Sequence, residues 1–413
     1  MENYIEKLHA RNVGKFNSLD IEFNNKFNFI IGANGCGKTS IMKCLAIILN
    51  PSLALNFRYK DDCEIWVDCI CDDVPLRIGL GQGWVSNGDI YRNANHRSWI
   101  NPPIIDGRES LNINKVRERN INFVPLILGA YRRIEYKNIQ GMTRERNIVD
   151  TRNEYRTNSI TSIDGGYLPN VKQWMINRYF EIEKDWAIKF KENWDWILNN
   201  LKYVSPFGDD FSFKEIRQDL EPIFILNEQE CYLEELSAGF QAVLSLILGI
   251  VEWIETVNEE NHTLIKDAVG TVLIDELDVH LHPEWQLIIR DTLDKIFPNL
   301  QFIITTHSPH LIASANKGEL IKLPSLEKNV TVEPIGKSYG GWNTDQILED
   351  IMEVKNLENK DYAKLIKDAM NFIEQKDIIK LHELIQELDK IVHPNDTIIN
   401  VLKIKEASMQ FEE

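Results

Sequence analysis

Apolar and polar positions along the chain change period several times, and each change marks an element. Residues 5–23 alternate and predict two short strands around a turn at 12–18, followed by a continuous apolar strand at Phe27–Ile31. Residues 64–80 alternate again, predicting two strands joined at Asp72-Asp73. Helical spacing appears at Lys38–Leu49, over residues 171–201 and over 239–257, while 123–128, 271–274 and 301–308 read as short buried strands. Strands interleaved with helices predict an α/β fold. Residues 81–121 have little periodicity and read as an irregular insertion, residues 139–166 read as a polar, mobile segment, and acid–apolar helical spacing follows Trp342. Trp174, Trp186, Trp194 and Trp196 sit among regularly spaced apolar partners and read as helix core rather than a base-stacking platform.

Composition narrows the class. A chain of 413 residues exceeds the usual single core, and 43% hydrophobic residues suffice for a packed interior. The most apolar run, 239–257, is interrupted by Gln241, Glu252 and Glu255, so it reads as a buried helix and no membrane partner is expected. Residues 1–15 lack the basic-then-apolar pattern of a secretory signal, which predicts a cytoplasmic protein. Six cysteines without paired metal-ligand spacing read as reduced structural thiols.

The net charge of −17 argues against a surface coated for nucleic acid, yet residues 92–156 carry thirteen Lys and Arg against seven Asp and Glu. Two readings of this basic segment stand level: arginines such as Arg132 and Arg133 contact phosphate backbones, or the loop is solvated and paired with acidic neighbours. Arg132-Arg133 follow the strand at 123–128, at the end where ligands sit in open α/β sheets, so one of them is also a candidate to face a nucleotide.

The clearest chemistry lies at Gly32-Ala33-Asn34-Gly35-Cys36-Gly37-Lys38-Thr39, a G-x-x-x-x-G-K-T run between a strand and a helix. Glycines let successive N–H groups converge on one anion and the helix N-terminus adds its positive end. Lys38 would neutralise β- and γ-phosphates, and Thr39 would ligate Mg²⁺. Farther on, Asp275-Glu276 close a buried strand, with Asp275 suited to the metal and Glu276 to the attacking water; His307 ends the next strand within reach of a γ-phosphate. His280 and His282 read as capping or core residues. Ser237 and Gly239 open the apolar helix.

In this order, Gly32 to Thr39, Leu236 to Gln241, Ile274-Asp275-Glu276, Asp278 and His307 resemble the Walker A, signature, Walker B, D-loop and H-loop of the ABC-type ATPases, in the branch with the OLD, RecF and SMC-like proteins. The resemblance implies an ATPase head with a mixed central sheet and flanking helices, an inserted helical lid and an acidic helical C-terminal tail. It divides the chain into an N-terminal core lobe (1–80), an insertion and lid (81–230), a C-terminal core lobe (231–340) and a tail (341–413). ATP and Mg²⁺ are the implied cofactors. Gly32 through Thr39 and Ser40 are the implied ATP contacts, Thr39 and Asp275 the Mg²⁺ ligands, Glu276 and His307 the catalytic pair. Asp278 is the D-loop residue, and Ser237 and Gly239 would cover ATP bound by a second copy. The signature reads Leu-Ser-Ala-Gly-Phe where the family often has Leu-Ser-Gly-Gly-Gln, and Gln82 and Gln140 are the candidates for a Q-loop glutamine.

The stretches Asp275 to Gln286 and Ser338 to Leu348 look like the ATPases of prokaryotic antiphage systems, Septu-type and retron-associated ones nearest, with the PARIS ATPase a further relative. That implies a sensor ATPase that dimerises over ATP and controls a separate nuclease, of HNH type in the Septu case, since no nuclease motif follows Trp342. A RecF-like repair ATPase binding DNA directly through residues 92–156 is the alternative. A transporter ATPase is a third class, against which the long insertion argues.

Overall fold

The computed structural model describes residues 2–51, 59–81, 84–86, 96–98, 100–134, 136–206, 208, 210–258, 263–354, 360–392 and 397–410. The chain divides into two compact units, Met1–Ile347 and Leu348–Glu413.

Two large sheets form the centre of the first unit. One is wholly parallel, in the spatial order Leu320–Lys322, Phe27–Ile31, Leu300–Thr305, Gly270–Ile274, Leu126–Leu128. Every residue of its three central strands is buried, the pattern expected of strands covered on both faces. Register brings their ends level: Ile30 lies opposite Thr305, Ile304 opposite Ile274, and Ile274 opposite Leu128. Four loops therefore leave one edge side by side, where α/β sheets place ligands.

The second sheet runs Asn329–Val332, Phe16–Glu22, Asn3–Val13, Tyr59–Cys71, Val74–Leu80, Glu109–Leu111, antiparallel at its centre and parallel at its two outer pairs. The mixed character of the fold is thus shared between two sheets. Helix Lys38–Leu49 shares one apolar core with both, which is why its sequence is apolar on nearly all sides.

Polarity misleads over residues 139–166. In place of a mobile segment, the chain forms helices Ile148–Thr157 and Ser159–Ile163, and Arg152 and Arg156 are buried. Arg152 donates to the Val257 and Asn120 carbonyls, and Arg156 to those of Phe123 and Ile121. Cations that satisfy buried carbonyls look like surface residues in sequence. The irregular insertion likewise holds a strand, Glu109–Leu111, and a helix, Ile113–Glu118, whose Asn112 cap accepts from the Lys115 N–H.

Helices Val171–Glu181 and Ile188–Asn200 follow, with Trp174 and Trp194 buried 5.9 Å apart between ring centres and the Trp196 indole donating to the Ile296 carbonyl. Trp186 corrects the core reading, being 62% exposed in the turn between these helices. A three-stranded antiparallel sheet, Phe211–Ile216, Pro222–Leu226 and Gln229–Tyr232, then leads into helix Ala238–Val257. This is the one described helix long and apolar enough to cross a membrane, and 89% of that stretch is buried inside the protein, as its interrupting Gln and Glu residues predict.

Glu255 on that helix is held by Arg178 Nε at 2.5 Å, by the Trp174 indole at 2.8 Å and by Asn193 at 2.9 Å. Arg178, fully buried, also pairs with Glu145 and Glu181 and lies over the Phe190 ring. Arg178→Ala leaves Glu255 buried without its cation and is expected to destabilise the protein by about 3–5 kcal/mol in denaturant titration; a loss below about 1 kcal/mol would mean the cluster relaxes into solvent.

The second unit is helical. Lys360–Glu374, Ile378–Leu388 and Thr397–Gln410 bring together Ala369, Leu381, Leu384, Leu388 and Leu402 in a core of their own.

Candidate nucleotide-binding site

The glycine-rich loop leaves the strand Phe27–Ile31 and enters the helix Lys38–Leu49 through Gly37, whose φ of 102° lies in the left-handed region. A Cβ on Gly37 would meet Phe16 Cζ at 2.5 Å, so both conformation and packing require glycine there. Around Gly35, at φ 77°, nothing lies within 4 Å of a Cβ position, leaving the outer face of the loop open. Lys38 is buried, and its Nζ donates to the carbonyls of Gly32 at 2.8 Å and Ala33 at 3.3 Å. Burial lowers the Lys38 pKa, opposed in part by the Cys36 thiol and the carboxylates of Glu276 and Asp275. Thr39 and Ser40 occupy the first turn of the helix, both half-buried.

Two strands over, the Gly270–Ile274 strand delivers Asp275 and Glu276. Thr305, ending the intervening strand, donates through Oγ1 to Asp275 Oδ1 at 2.5 Å and accepts from the Glu276 N–H at 2.8 Å. Thr306 donates to Asp278 Oδ1 at 2.6 Å, which also accepts from the His307 N–H at 3.1 Å. Glu276 is therefore fixed by its backbone, at a φ of 50° that glutamate seldom adopts. His307 is half-buried, and burial followed by the Lys38 charge lowers its pKa, so the imidazole is neutral at pH 7.

Arg132 is the residue whose role sequence leaves undecided. It is 1% exposed, donating through Nη1 to the carbonyls of Gly129 and Asp275 at 2.6 and 3.0 Å and through Nη2 to those of Glu276 and Leu277 at 2.9 and 3.2 Å. Burial lowers its pKa to about 10 against the raising charges of Asp278, Asp275 and Glu276, leaving it cationic at neutral pH. The expectation that Arg132 contacts nucleic acid is corrected: its guanidinium is spent inside the protein. Arg133, its neighbour, is exposed.

The signature residues sit at the start of Ala238–Val257. Ser237 is exposed and its hydroxyl makes no cap hydrogen bond, while Gln241 donates to the carbonyls of Glu234 and Leu236 and holds the preceding turn. Gly239 is buried, and a Cβ there would meet the Trp285 ring at 2.9 Å and the His280 carbonyl at 3.3 Å. His282 caps helix Pro283–Ile296, with Nδ1 accepting from the Glu284 N–H, which matches its capping reading. Of the Q-loop candidates, Gln140 is exposed and Gln82 lies outside the described residues.

The glycine cradle, the open face at Gly35, the helix N-terminus and the buried lysine beside two carboxylates suit a nucleotide triphosphate and a divalent metal. Comparisons with known proteins point to an ATPase. Family models described as an AAA ATPase domain and an AAA domain match residues 136–312 and 7–61. The chain is 26% identical to the Septu protein PtuA of Bacillus thuringiensis over 98% of both chains. Its similarity is thus to ATPases, among them those of antiphage systems. A longer PtuA, from Bacillus mycoides, is 24% identical over 94% of this chain and 51% of its own length. The probable ATPase of retron Ec83 from Escherichia coli is 32% identical over 38% of this chain and 28% of its own. The two family matches include, between them, the phosphate loop, the signature, Asp275, Glu276 and His307.

The roles of Thr305 and Thr306 and the carbonyl-binding role of Arg132 are not legible in sequence. Two threonines at the end of an apolar strand are the available signal, since a buried strand end next to carboxylates needs hydroxyl donors.

Proposed function

We propose that this ATPase binds and hydrolyses ATP with Mg²⁺ as the sensor and regulatory subunit of a prokaryotic antiphage complex, dimerising over nucleotide and controlling a separate nuclease of HNH type. The observation that carries the nucleotide chemistry is the convergence of the phosphate loop, Asp275-Glu276 and His307 at one edge of a parallel sheet, with Lys38 in the field of both carboxylates. Gly32 to Ser40 hold the phosphates, and Thr39 with Asp275 are the residues that would hold Mg²⁺, which when bound neutralises charge on the β- and γ-phosphates. Glu276 orients and deprotonates the attacking water, and neutral His307 meets the γ-phosphate. Asp278 joins His307 to the Walker B turn. The regulatory reading rests on whole-length similarity to Septu PtuA.

Ser237, exposed and unused as a cap, and Gly239 cover the γ-phosphate of a second copy. Ser237→Arg is expected to leave thermal stability unchanged and to abolish ATP-dependent self-association in light scattering, and co-expression with the adjacent reading frame is expected to co-purify a nuclease. Association that survives Ser237→Arg removes the signature from its role; a solitary ATPase with no co-purifying nuclease sinks the regulatory reading. Direct DNA binding of the RecF kind is the weaker reading, because Arg132, Arg152 and Arg156, three of the segment's basic residues, are buried on backbone carbonyls.

A further inference from the structure

Away from the nucleotide edge, a cavity of about 850 Å³ opens between the segment 131–177 and helix Ala238–Val257. Its wall is aromatic at Tyr155 and Tyr167, which meet edge to face with ring centres 6.0 Å apart. Most polar groups of that wall are engaged: Tyr155 bonds Thr256, Tyr167 bonds Glu154, and the Trp174 indole bonds Glu255. Glu252 differs. Its Oε2 is shut off from solvent and has no hydrogen-bond partner among the described residues. Exposed Arg133, Lys137 and Arg144 line it as well, and the neighbouring Glu145 is paired with the buried Arg178.

A cavity of this size suits one small ligand, and its polarity runs from exposed cations to an unpartnered carboxyl among ring faces. Cations recognise phosphate, ring faces stack on a base, and a carboxyl pairs with the polar edge of a base. We propose that this cavity is a second nucleotide site, distinct from the phosphate loop, taking one nucleoside monophosphate unit, free or carried in a single strand of nucleic acid. The phosphate meets Arg133, Lys137 and Arg144, and the base lies against Tyr155 and Tyr167 with its edge on Glu252. Burial pushes the Glu252 carboxyl up to about 8, so at neutral pH it is mostly protonated and presents one donor beside one acceptor. That pair can bond the donor–acceptor edge of a base, whether an exocyclic amine beside a ring nitrogen, as in adenine and cytosine, or an imide N–H beside a carbonyl, as in uracil. Ser245, Glu252 and Glu255 line the cavity on the helix that begins at Ser237, so the occupant touches the element carrying the signature.

The site stands apart from the ATPase reading, and the test keeps them separate. Full-length protein, with its phosphate loop held by saturating non-hydrolysable ATP analogue and Mg²⁺, is titrated calorimetrically with AMP, CMP and UMP, and by fluorescence anisotropy with a short labelled single strand of DNA. Saturable binding of at least one of the free monophosphates is expected for a free nucleotide; binding by the strand alone identifies the second source. Either should weaken about tenfold or more in Arg144→Glu, where a cation facing the phosphate becomes an anion, and in Glu252→Gln, while ATP hydrolysis by Arg144→Glu stays at the wild-type rate. Should Glu252→Gln fail to fold, exposed Arg144 carries the test by itself. Absence of saturable binding by every probe, displacement of the probe by the ATP analogue, or unchanged affinity in Arg144→Glu overturns the proposal.

Discussion

Arg132→Ala is expected to lower kcat for ATP hydrolysis by about a hundredfold or more, because displacing a catalytic group by roughly 1 Å has that effect, while the affinity for ATP changes only a few-fold. The split follows from what Arg132 touches. Its two terminal nitrogens hold the carbonyls of Asp275, Glu276 and Leu277, the turn that aims the carboxylates, rather than the phosphate loop. Without the guanidinium the carbonyls of Asp275 and Leu277 lose this donor while that of Glu276 keeps the Val279 N–H, at about 1–3 kcal/mol for each group left unsatisfied, and the turn moves. Arg132→Lys restores the charge and not the planar fork, so it should recover only part of the rate. Equal losses in ATP affinity and kcat would show that the whole site collapses, and wild-type kcat in Arg132→Ala would remove its positioning role.

Glu276→Gln is expected to keep ATP binding, to lose hydrolysis by about 10²–10⁴-fold, the range of a general base, and to accumulate the ATP-bound assembly in size-exclusion chromatography. The amide is nearly isosteric and the backbone bonds that fix residue 276 come from its own N–H and carbonyl, so folding should be untouched. A control comes from its left-handed φ of 50°. Glu276→Gly relieves that conformation and should be equally inactive without loss of thermal stability, the expected mark of strain held for function. Normal turnover in Glu276→Gln would place the water-activating group elsewhere.

Both predictions concern residues that the parallel sheet brings together from distant parts of the chain, and they differ in how visible those residues are in sequence. The loop from Gly32 to Thr39 is legible because its motif is local: glycines, lysine and threonine act through backbone and side chains within one turn. The strand Phe27–Ile31 and the helix Lys38–Leu49 are legible to the residue, since both are largely apolar runs bounded by glycine and Asn50-Pro51. Glu276 stands out in sequence because a carboxylate pair closing a buried strand has few structural uses, and the structure sets its backbone between Thr305 and Arg132. Residues 148–157 look mobile in sequence because burial of an arginine depends on carbonyls distant along the chain, at Asn120, Phe123 and Val257. Trp186 misleads for the converse reason: helical spacing cannot tell that the chain turns at residues 185–187 and leaves the ring outside.

By itself, then, the sequence determined the local features of this ATPase: the glycine-rich loop, the acidic strand end, the histidine that follows the next strand, the helix start at Ser237 and the α/β class, each written in contiguous residues with their own periodicity. Only the tertiary structure decided which of two adjacent arginines turns inward. It also decided that Thr305 bonds Asp275 and Thr306 bonds Asp278, and that Glu252 faces a cavity with one oxygen unpartnered among the described residues. Those outcomes depend on strand register and on which buried carbonyls and carboxylates need a donor, quantities that exist only once distant segments are packed together.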